Sequence, residues 1–147
     1  MNDESIALDA VDRKMIDLLI EDGRRTLADI ASKIGLSAPA AKRRLERLET
    51  TGVITGYTAK VDHAKLGRTI EAFTELRFGG RTKVGDIASV ADGLPQVQAF
   101  YTTAGDPDAL AHLRVRDVGE LTRVIDLLRR SGRVTGTKTL MVLDTRE

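Results

Sequence analysis

Apolar residues in the first third of the chain recur at spacings of three and four, which predicts helices that bury one face. The first run consists of Leu8, Val11, Met15, Leu18 and Leu19, and the second of Leu27, Ile30, Ala31 and Ile34. The first run predicts a helix over 8–22 that stops near Gly23. The second predicts a short helix with Thr26 as its N-cap and Gly35 at its end.

A third helix is predicted directly after the second. Ser37 can cap it, and Pro39 is tolerated in its first turn because the missing N–H would have had no carbonyl partner there. Its buried stripe consists of Ala41, Leu45 and Leu48. Ala31 is small enough for the third helix to cross the second closely, and Gly35 can adopt positive φ in the turn. This combination predicts a helix-turn-helix.

Two β-rich runs follow around Gly56, in the segment TGVITGYTAKVD over 51–62. Short strands on either side of a glycine predict a small hairpin. We therefore expect a wing after the third helix, which would make the first part of the chain a winged helix-turn-helix.

The second half of the chain alternates between strand and helix patterns. The predicted elements are a strand over 70–78, a helix over 82–94, strands over 96–105 and 108–117, a helix over 118–132 capped by Gly132, and a strand over 133–144. The order β-α-β-β-α-β is typical of a ferredoxin-like domain, in which both helices cover one face of an antiparallel sheet. The chain is therefore expected to be an α+β protein.

The other face of this sheet needs a cover. Apolar residues occupy every second position from Ala109 to Val115 and alternate with a mixed set. The mixed set is Leu110, His112, Arg114 and Arg116. One face of the strand is thus continuously apolar, and the other is left bare. In a small domain a second copy is the simplest cover for the bare face, so we expect a homodimer.

Charge is unevenly distributed, although the formal net charge is only +1. Residues 24–47 contain seven basic and two acidic residues, whereas residues 1–22 contain seven acidic and two basic ones. A basic run on a helix is usually a solvated face, and Glu46 and Glu49 can pair with neighbouring arginines. The helix-turn-helix context instead favours contact with nucleic acid. Arg44 lies between the buried stripe and the exposed face, and we expect it to pair with an acid of the first helix.

Composition excludes several kinds of chemistry. The chain contains no cysteine, which excludes disulfides, thiolate zinc sites and cysteine nucleophiles. His63 and His112 have no carboxylate or second histidine at metal-ligand spacing, so we expect no metal, no cofactor and no enzymatic activity. No run of about 18 apolar residues and no secretory signal is present, which predicts a cytoplasmic protein without a membrane partner.

Taken together, the motifs LDxxD, GLS, RRLxRLExxGVIxGY and VD…LG resemble the leucine-responsive regulator family, Lrp/AsnC. The similarity runs from Leu8 to about residue 143. It implies a transcriptional regulator with a DNA-binding domain over 1–62, a linker over 63–68, and a ligand-sensing and oligomerisation domain over 69–147. It also implies dimers that assemble further into tetramers, octamers or larger rings.

The implied partner is double-stranded DNA, bound as a pseudo-palindromic site by two third helices about one helical turn apart. The residues expected at the DNA are Thr26, Ser37, Ala38, Pro39, Lys42, Arg43 and Arg47. Lys42 or Arg43 is expected to read a guanine, and Arg47 to contact a phosphate.

The resemblance further implies a small effector, an amino acid or a close metabolite, in a pocket formed where dimers meet. The segment TTAGDPDA over 102–109 carries the family's G-x-x-D element as Gly105 and Asp108. Its aspartates can equally make an ordinary turn by bonding local backbone. Pro107 departs from the bulky residue usual in the family and removes a backbone donor.

The residues expected at the effector are Gly105, Asp106, Asp108, Thr137 and Thr139. Threonines that alternate along a strand are, however, commonly plain strand residues. An effector would act by binding one oligomeric arrangement more tightly than another, which would change the spacing of the DNA-binding halves.

Two other classes of protein remain as alternatives. The sirohaem decarboxylases resemble this family in both halves, although the scarcity of histidine and the basic third helix count against an enzyme. The other alternative is a nucleoid-type protein that coats DNA without regard to sequence or ligand, through phosphate contacts alone.

Overall fold

The computed structural model describes residues 6–130 and 133–145, and the chain divides into two compact units, Met1–Lys60 and Val61–Glu147. The first unit contains the helices α1 (Ala10–Glu21), α2 (Leu27–Ile34) and α3 (Ala38–Thr50). The second contains β1 (Ile70–Phe78), α4 (Val84–Ala88), β2 (Val97–Thr102), β3 (Ala109–Val115), α5 (Val118–Arg129) and β4 (Val134–Met141). The predicted order of three helices followed by β-α-β-β-α-β is confirmed.

Side-chain caps determine where the three helices of the first unit begin. Asp9 Oδ1 accepts a hydrogen bond from the Asp12 N–H at 2.8 Å, and Asp12 Oδ2 accepts one from the Asp9 N–H at 3.1 Å. This reciprocal pair is a capping box, and it starts α1 two residues later than the pattern predicts. Thr26 and Ser37 cap α2 and α3, as predicted.

The turn between α2 and α3 has the predicted geometry. Gly35 ends α2 in the left-handed region with φ 72°, where a Cβ would be strained. The buried Ala31 and Ala41 lie on the two helices that cross here. Met15, Ile30 and Leu48 complete a small core, which confirms the helix-turn-helix.

The predicted wing is wrong, because residues 51–62 contain no strand. The first apolar run of that segment is used to close α3 and to extend its core. Gly52 adopts φ 75°, the Ile54 N–H donates to Leu48 O at 2.9 Å, and Val53 and Ile54 pack against the core. No second strand is then opposite residues 57–62, so a hairpin cannot form.

The second unit is a four-stranded antiparallel sheet in the order β2-β3-β1-β4. One face carries the core, in which α5 contributes Leu121, Val124 and Leu128. The sheet contributes Ala72, Leu76, Ala109, Ala111, Leu113 and Val115, all fully buried. The helix predicted over 82–94 is shorter, because the chain tightens into a 3₁₀ turn at Ser89–Ala91 and then passes through Gly93 at φ 77°. The predicted cap Gly132 lies outside the described residues.

The opposite face of the sheet is open in a single chain. Phe73, Leu110 and His112 lie on it half-buried, and Tyr101 and Leu140 are 52% and 49% exposed. The mixed face of β3 predicted from the sequence is therefore confirmed. None of the described helices has the length and apolar character needed to cross a membrane.

Candidate nucleic-acid interface and effector site

The N-terminal half of α3 presents an uninterrupted exposed surface. Ser37, Ala38, Pro39, Lys42 and Arg43 all lie on it. They are exposed because the buried stripe of the helix runs through Ala41 and Leu48 on the other side. An exposed helix of this kind can enter the major groove of DNA, where its first turns reach base edges.

The basic side chains of this surface differ in whether they form ion pairs within the protein. Lys42 Nζ lies 3.7 Å from Glu46 Oε1, and both side chains are more than half exposed, so the pair is weak. Arg43 is exposed and, within residues 6–130 and 133–145, has no ion pair or side-chain hydrogen bond. Arg43 is thus the cation of α3 most available to a ligand. It also lines a surface depression of about 450 Å³ beside Ala40 and Arg47.

Thr26 and Ser37 have a structural role in addition to the predicted one. The Thr26 hydroxyl accepts from the Asp29 N–H at 3.2 Å, and the Ser37 hydroxyl accepts from the Ala40 N–H at 3.4 Å. Both side chains are exposed at helix N-termini. A hydroxyl that accepts a cap bond still has its own O–H to donate, so capping leaves both residues able to bond a phosphate.

Arg44 is a structural residue, as predicted. Its Nη1 lies 2.6 Å from Asp9 Oδ2 and 2.8 Å from Asp12 Oδ1, so it ties α3 to the start of α1. These contacts raise the pKa of Arg44, through the hydrogen bond to Asp9 first. The backbone N–H of Asp12, with Arg44 second, lowers the pKa of Asp9.

Arg47 is tied to the protein through one nitrogen of its guanidinium group. Its Nη2 lies 2.5 Å from Asp12 Oδ2, although the side chain is 46% exposed. Asp12 itself is fully buried. Burial alone would raise its pKa, but hydrogen bonds from Arg44, the Asp9 N–H and Arg47 outweigh burial and lower it. Asp9, Asp12, Arg44 and Arg47 form a cluster that we call the acid clamp.

Sequence reasoning missed the central member of the acid clamp. Asp12 belongs to the LDxxD motif, from which the sequence analysis predicts no role for it. The signal was present, because aspartates at i and i+3 before an apolar run form a capping box. Arg25 likewise enters the sequence analysis only as one of the basic residues of 24–47. In the structure Arg25 bonds Leu18 O at 3.0 Å and pairs with Asp29 and Glu21 at 2.8 and 2.6 Å.

The segment predicted to contact an effector forms the turn between β2 and β3. Asp108 Oδ2 accepts from the Phe78 N–H at 2.7 Å, and the Asp108 N–H donates to Leu76 O at 3.1 Å. Asp106 Oδ1 pairs with Arg77 Nε at 2.6 Å. Gly105 adopts φ 127°, and the Asp106–Pro107 peptide bond is cis. The aspartate side chains of this turn therefore bond β1, rather than the local backbone that the turn interpretation expects.

The two threonines lie on β4, on the other side of β1 from this turn. Thr137 is paired with Leu76 and Thr139 with Thr74. The Thr139 hydroxyl is 2.9 Å from the hydroxyl of Thr74, which is fully buried. Asp108 and Thr137 thus flank Leu76, and Thr137 and Thr139 lie on the same face of the sheet as the buried Leu76 and Thr74.

The histidines lie apart from any metal-binding arrangement. His112 Nε2 is 2.6 Å from Glu71 Oε1, and the ring stacks on Phe73 with centroids 4.7 Å apart. His63 is half-buried in the segment that precedes β1. In the part of the chain that the structure describes, no group of three potential metal ligands occurs.

A helix-turn-helix with a basic exposed third helix, joined to a ferredoxin-like domain, defines a DNA-binding transcriptional regulator. Residues 8–49 match the AsnC-type helix-turn-helix domain, and residues 71–147 match the Lrp/AsnC ligand binding domain. The chain therefore belongs to the Lrp/AsnC family of transcriptional regulators.

Individual relatives agree along almost the whole chain. HTH-type transcriptional regulator Rv2324 of Mycobacterium tuberculosis is 34% identical over 136 residues, which cover 92% of each chain. A feast or famine regulatory protein of M. tuberculosis, solved with L-methionine, superposes with a TM-score of 0.88 at 29% identity and covers 95% of this chain and 94% of its own. A Neisseria meningitidis transcriptional regulator, also solved with L-methionine, gives a TM-score of 0.88 at 25% identity, with 96% and 93% covered.

Proposed function

We propose that this regulator acts in the cytoplasm as a homodimer, or a larger assembly of dimers, that recognises a pseudo-palindromic DNA sequence. The observation that carries the proposal is the exposed N-terminal half of α3 with Arg43 unengaged. The residues proposed at the DNA are Thr26, Ser37, Ala38, Pro39, Lys42, Arg43 and Arg47. Arg43 or Lys42 reads a guanine, and Arg47 reaches a phosphate with the N–H donors that Asp12 does not use.

The open face of the sheet supports the homodimer. Tyr101 and Leu140 are large, half-exposed apolar side chains on that face. A face of this kind in a small domain is stabilised by a second apolar surface, and a second copy provides one. Two copies supply two third helices, as a pseudo-palindromic site requires.

An amino-acid effector is the second part of the proposal. Two similar regulators were solved with L-methionine, and the G-x-x-D element is present as Gly105 and Asp108. Asp106, Thr137 and Thr139 complete the proposed effector-binding set. The effector alters DNA binding by favouring one oligomeric arrangement, and the size of the effect is limited by its differential affinity for the two arrangements.

The test is fluorescence anisotropy of the full chain on a labelled duplex from upstream of its own gene, against a random duplex. At about 150 mM salt, near physiological ionic strength, the first duplex should bind at least tenfold more tightly. Each of the twenty amino acids is then added in turn, and one or a few should shift the affinity. Equal binding to both duplexes would identify a nucleoid-type protein, and binding to neither would overturn the proposal.

The variant Arg43→Ala tests whether α3 contacts the DNA. Loss of a bidentate base contact costs about 1–3 kcal/mol, so affinity for the upstream duplex should fall at least fivefold. The matched control is Arg13→Ala, because Arg13 is exposed on α1 and likewise has no ion pair among the described residues. If both variants lose affinity equally, general charge rather than α3 binds the DNA.

A further inference from the structure

A cavity of about 180 Å³ lies in the second unit, where the chain enters β1, leaves β3 and begins β2. Three arginines, Arg68, Arg114 and Arg116, line it together with Gln96, Glu120 and two apolar side chains. Neither the DNA-binding residues nor the proposed effector residues belong to it. The cavity therefore concentrates guanidinium groups outside both of the proposed sites.

The guanidinium groups have more hydrogen-bond donors than their partners use. Arg114 Nη2 bonds Glu71 Oε1 at 2.9 Å, and Arg116 Nε bonds Glu120 Oε2 at 3.3 Å. The side chain of Arg68 has no hydrogen bond or ion pair within the described ranges 6–130 and 133–145. Since each guanidinium carries five N–H donors, most of the donors at this cavity are left for a ligand.

The carboxylate at the cavity is already committed to the protein. Glu120 Oε2 accepts from the Arg116 N–H at 2.8 Å, and Glu120 Oε1 accepts from Gln96 Nε2 at 3.0 Å. Its side chain is only 12% exposed. The oxygens of Glu120 are therefore engaged by Arg116 and Gln96. The three arginines and their two carboxylates, Glu71 and Glu120, leave one positive charge uncompensated at the cavity.

We propose that this cavity binds the oxyanion group, carboxylate or phosphate, of a small metabolite. Arg68 is its main ligand, and the spare donors of Arg114 and Arg116 complete the contact. Planar guanidinium groups match the two oxygens of such an anion and form strong charge-assisted hydrogen bonds. A volume of about 180 Å³ limits the occupant to a small molecule.

This site is separate from the proposed effector site and does not depend on it. Asp108 bonds the carbonyl of Leu76, whereas Arg68 lies two residues before Ile70, the first residue of β1. Leu76 lies six positions after Ile70 along the strand, which corresponds to roughly 20 Å. The regulator would thus take a ligand at each end of β1.

The test is isothermal titration calorimetry of the full chain with inorganic phosphate and, separately, with acetate, at constant ionic strength set by chloride. Wild type should bind at least one of the two anions with a saturable isotherm. The anion that binds more tightly shows whether the site prefers a phosphate or a carboxylate. Arg68→Gln should weaken that binding at least tenfold. The matched control is Arg123→Gln, an exposed arginine of α5 outside the cavity, which should bind as wild type does.

A second variant changes affinity in the opposite direction. Glu120→Gln keeps an acceptor oxygen for Gln96 or Arg116 but removes a negative charge beside the ligand. Anion affinity should therefore rise severalfold, a result that incomplete folding cannot produce. Circular dichroism of each variant confirms that it is folded.

Several results would overturn the proposal. They are the absence of saturable binding of either anion by wild type, unchanged binding in Arg68→Gln, or weakened binding in Glu120→Gln. Loss of duplex affinity in Arg68→Gln without any anion binding would instead make these arginines contacts for the DNA backbone. None of these measurements with anions requires DNA, so their failure is distinguishable from failure of the proposed regulatory function.

Discussion

At the scale of single residues, the buried carboxylate of Asp12 links α1 to α3. Asp12→Asn keeps the size of the side chain but removes the charge that Arg44 and Arg47 bond. Hydrogen bonds to charged groups contribute about 1.5–3 kcal/mol each, so we expect the free energy of unfolding to fall by about 2 kcal/mol. Equilibrium unfolding in urea measures this change in the free energy of unfolding. Asp17→Asn, an exposed carboxylate on the same helix, is the control and should change stability by less than about 0.5 kcal/mol.

Glu120 makes the second unit sensitive to acid. The Arg116 N–H and the Gln96 amide lower the pKa of Glu120 from 4.5 to about 2. A carboxyl group with a lowered folded-state pKa stabilises the protein above pH 4.5, and that stabilisation is lost as the pH falls from 4.5 towards 2. Glu120→Gln should therefore reduce the fall in Tm between pH 5 and pH 2. Asp126→Asn, an exposed acid of α5, should leave the slope as in wild type.

The pairing of Arg47 illustrates what a sequence alone does not reveal. Its exposure could be predicted, because the period of α3 places it away from Ala41 and Leu48. Its partner Asp12 lies 35 residues away, and the contact exists only because α1 and α3 cross at this point. Arg44 was predicted to pair with an acid because its position on the helix is intermediate, whereas nothing in the spacing distinguished Arg47 in that way.

At the scale of elements, the φ angle of a glycine determines whether its replacement by alanine lowers or raises the stability of the protein. Gly35 ends α2 at φ 72°, and a Cβ there would meet no atom within 4 Å. Gly35→Ala therefore loses stability through backbone strain alone, about 1 kcal/mol. Gly85 lies inside α4 with equally open surroundings and no positive φ. Gly85→Ala should gain about 0.5–1 kcal/mol.

Thermal unfolding of the two glycine variants checks the opposite signs. Gly35→Ala is expected to lower Tm, and Gly85→Ala to raise it. A neutral Gly35→Ala would show that the turn between α2 and α3 tolerates another conformation, and the account of the helix-turn-helix given above would be wrong at that point.

Elements with strong local signals could be predicted from the sequence, and the wing could not. Thr26, Ser37 and Gly35 mark helix ends by chemistry that acts over three or four residues. The segment after α3 has the composition of a hairpin, but Val53 and Ile54 are drawn into the helical core, and Gly52 turns the chain towards it. Packing of these residues in the core outweighs their strand propensity. Propensity alone does not reveal which of the two effects is larger.

At the scale of the whole molecule, the open face of the sheet is the surface through which we propose that copies associate. Leu140 is 49% exposed and is paired with Phe73 of β1 on that face. A buried charge at a dimer interface is costly, so Leu140→Asp should convert the assembly to smaller species. Size-exclusion chromatography with light scattering measures the mass.

Leu127→Asp is the matched control for the assembly test. Leu127 is 46% exposed, but it lies on α5, which covers the other face of the sheet. Its substitution should leave the mass unchanged. If Leu127→Asp dissociates the assembly and Leu140→Asp does not, copies associate through the helices and the proposed dimer is incorrect.

The acid clamp has a mechanical consequence. Because Arg44 and Arg47 are tied to Asp9 and Asp12, α3 cannot tilt without moving α1. We therefore expect the helix-turn-helix to move as one unit, so that the two copies in the proposed dimer would bind best to half-sites whose separation matches the helical repeat of the duplex, about 10.5 base pairs per turn. We expect the proposed dimer to bind poorly to operators whose half-sites are out of phase by half a turn, even when every base in each half-site is correct.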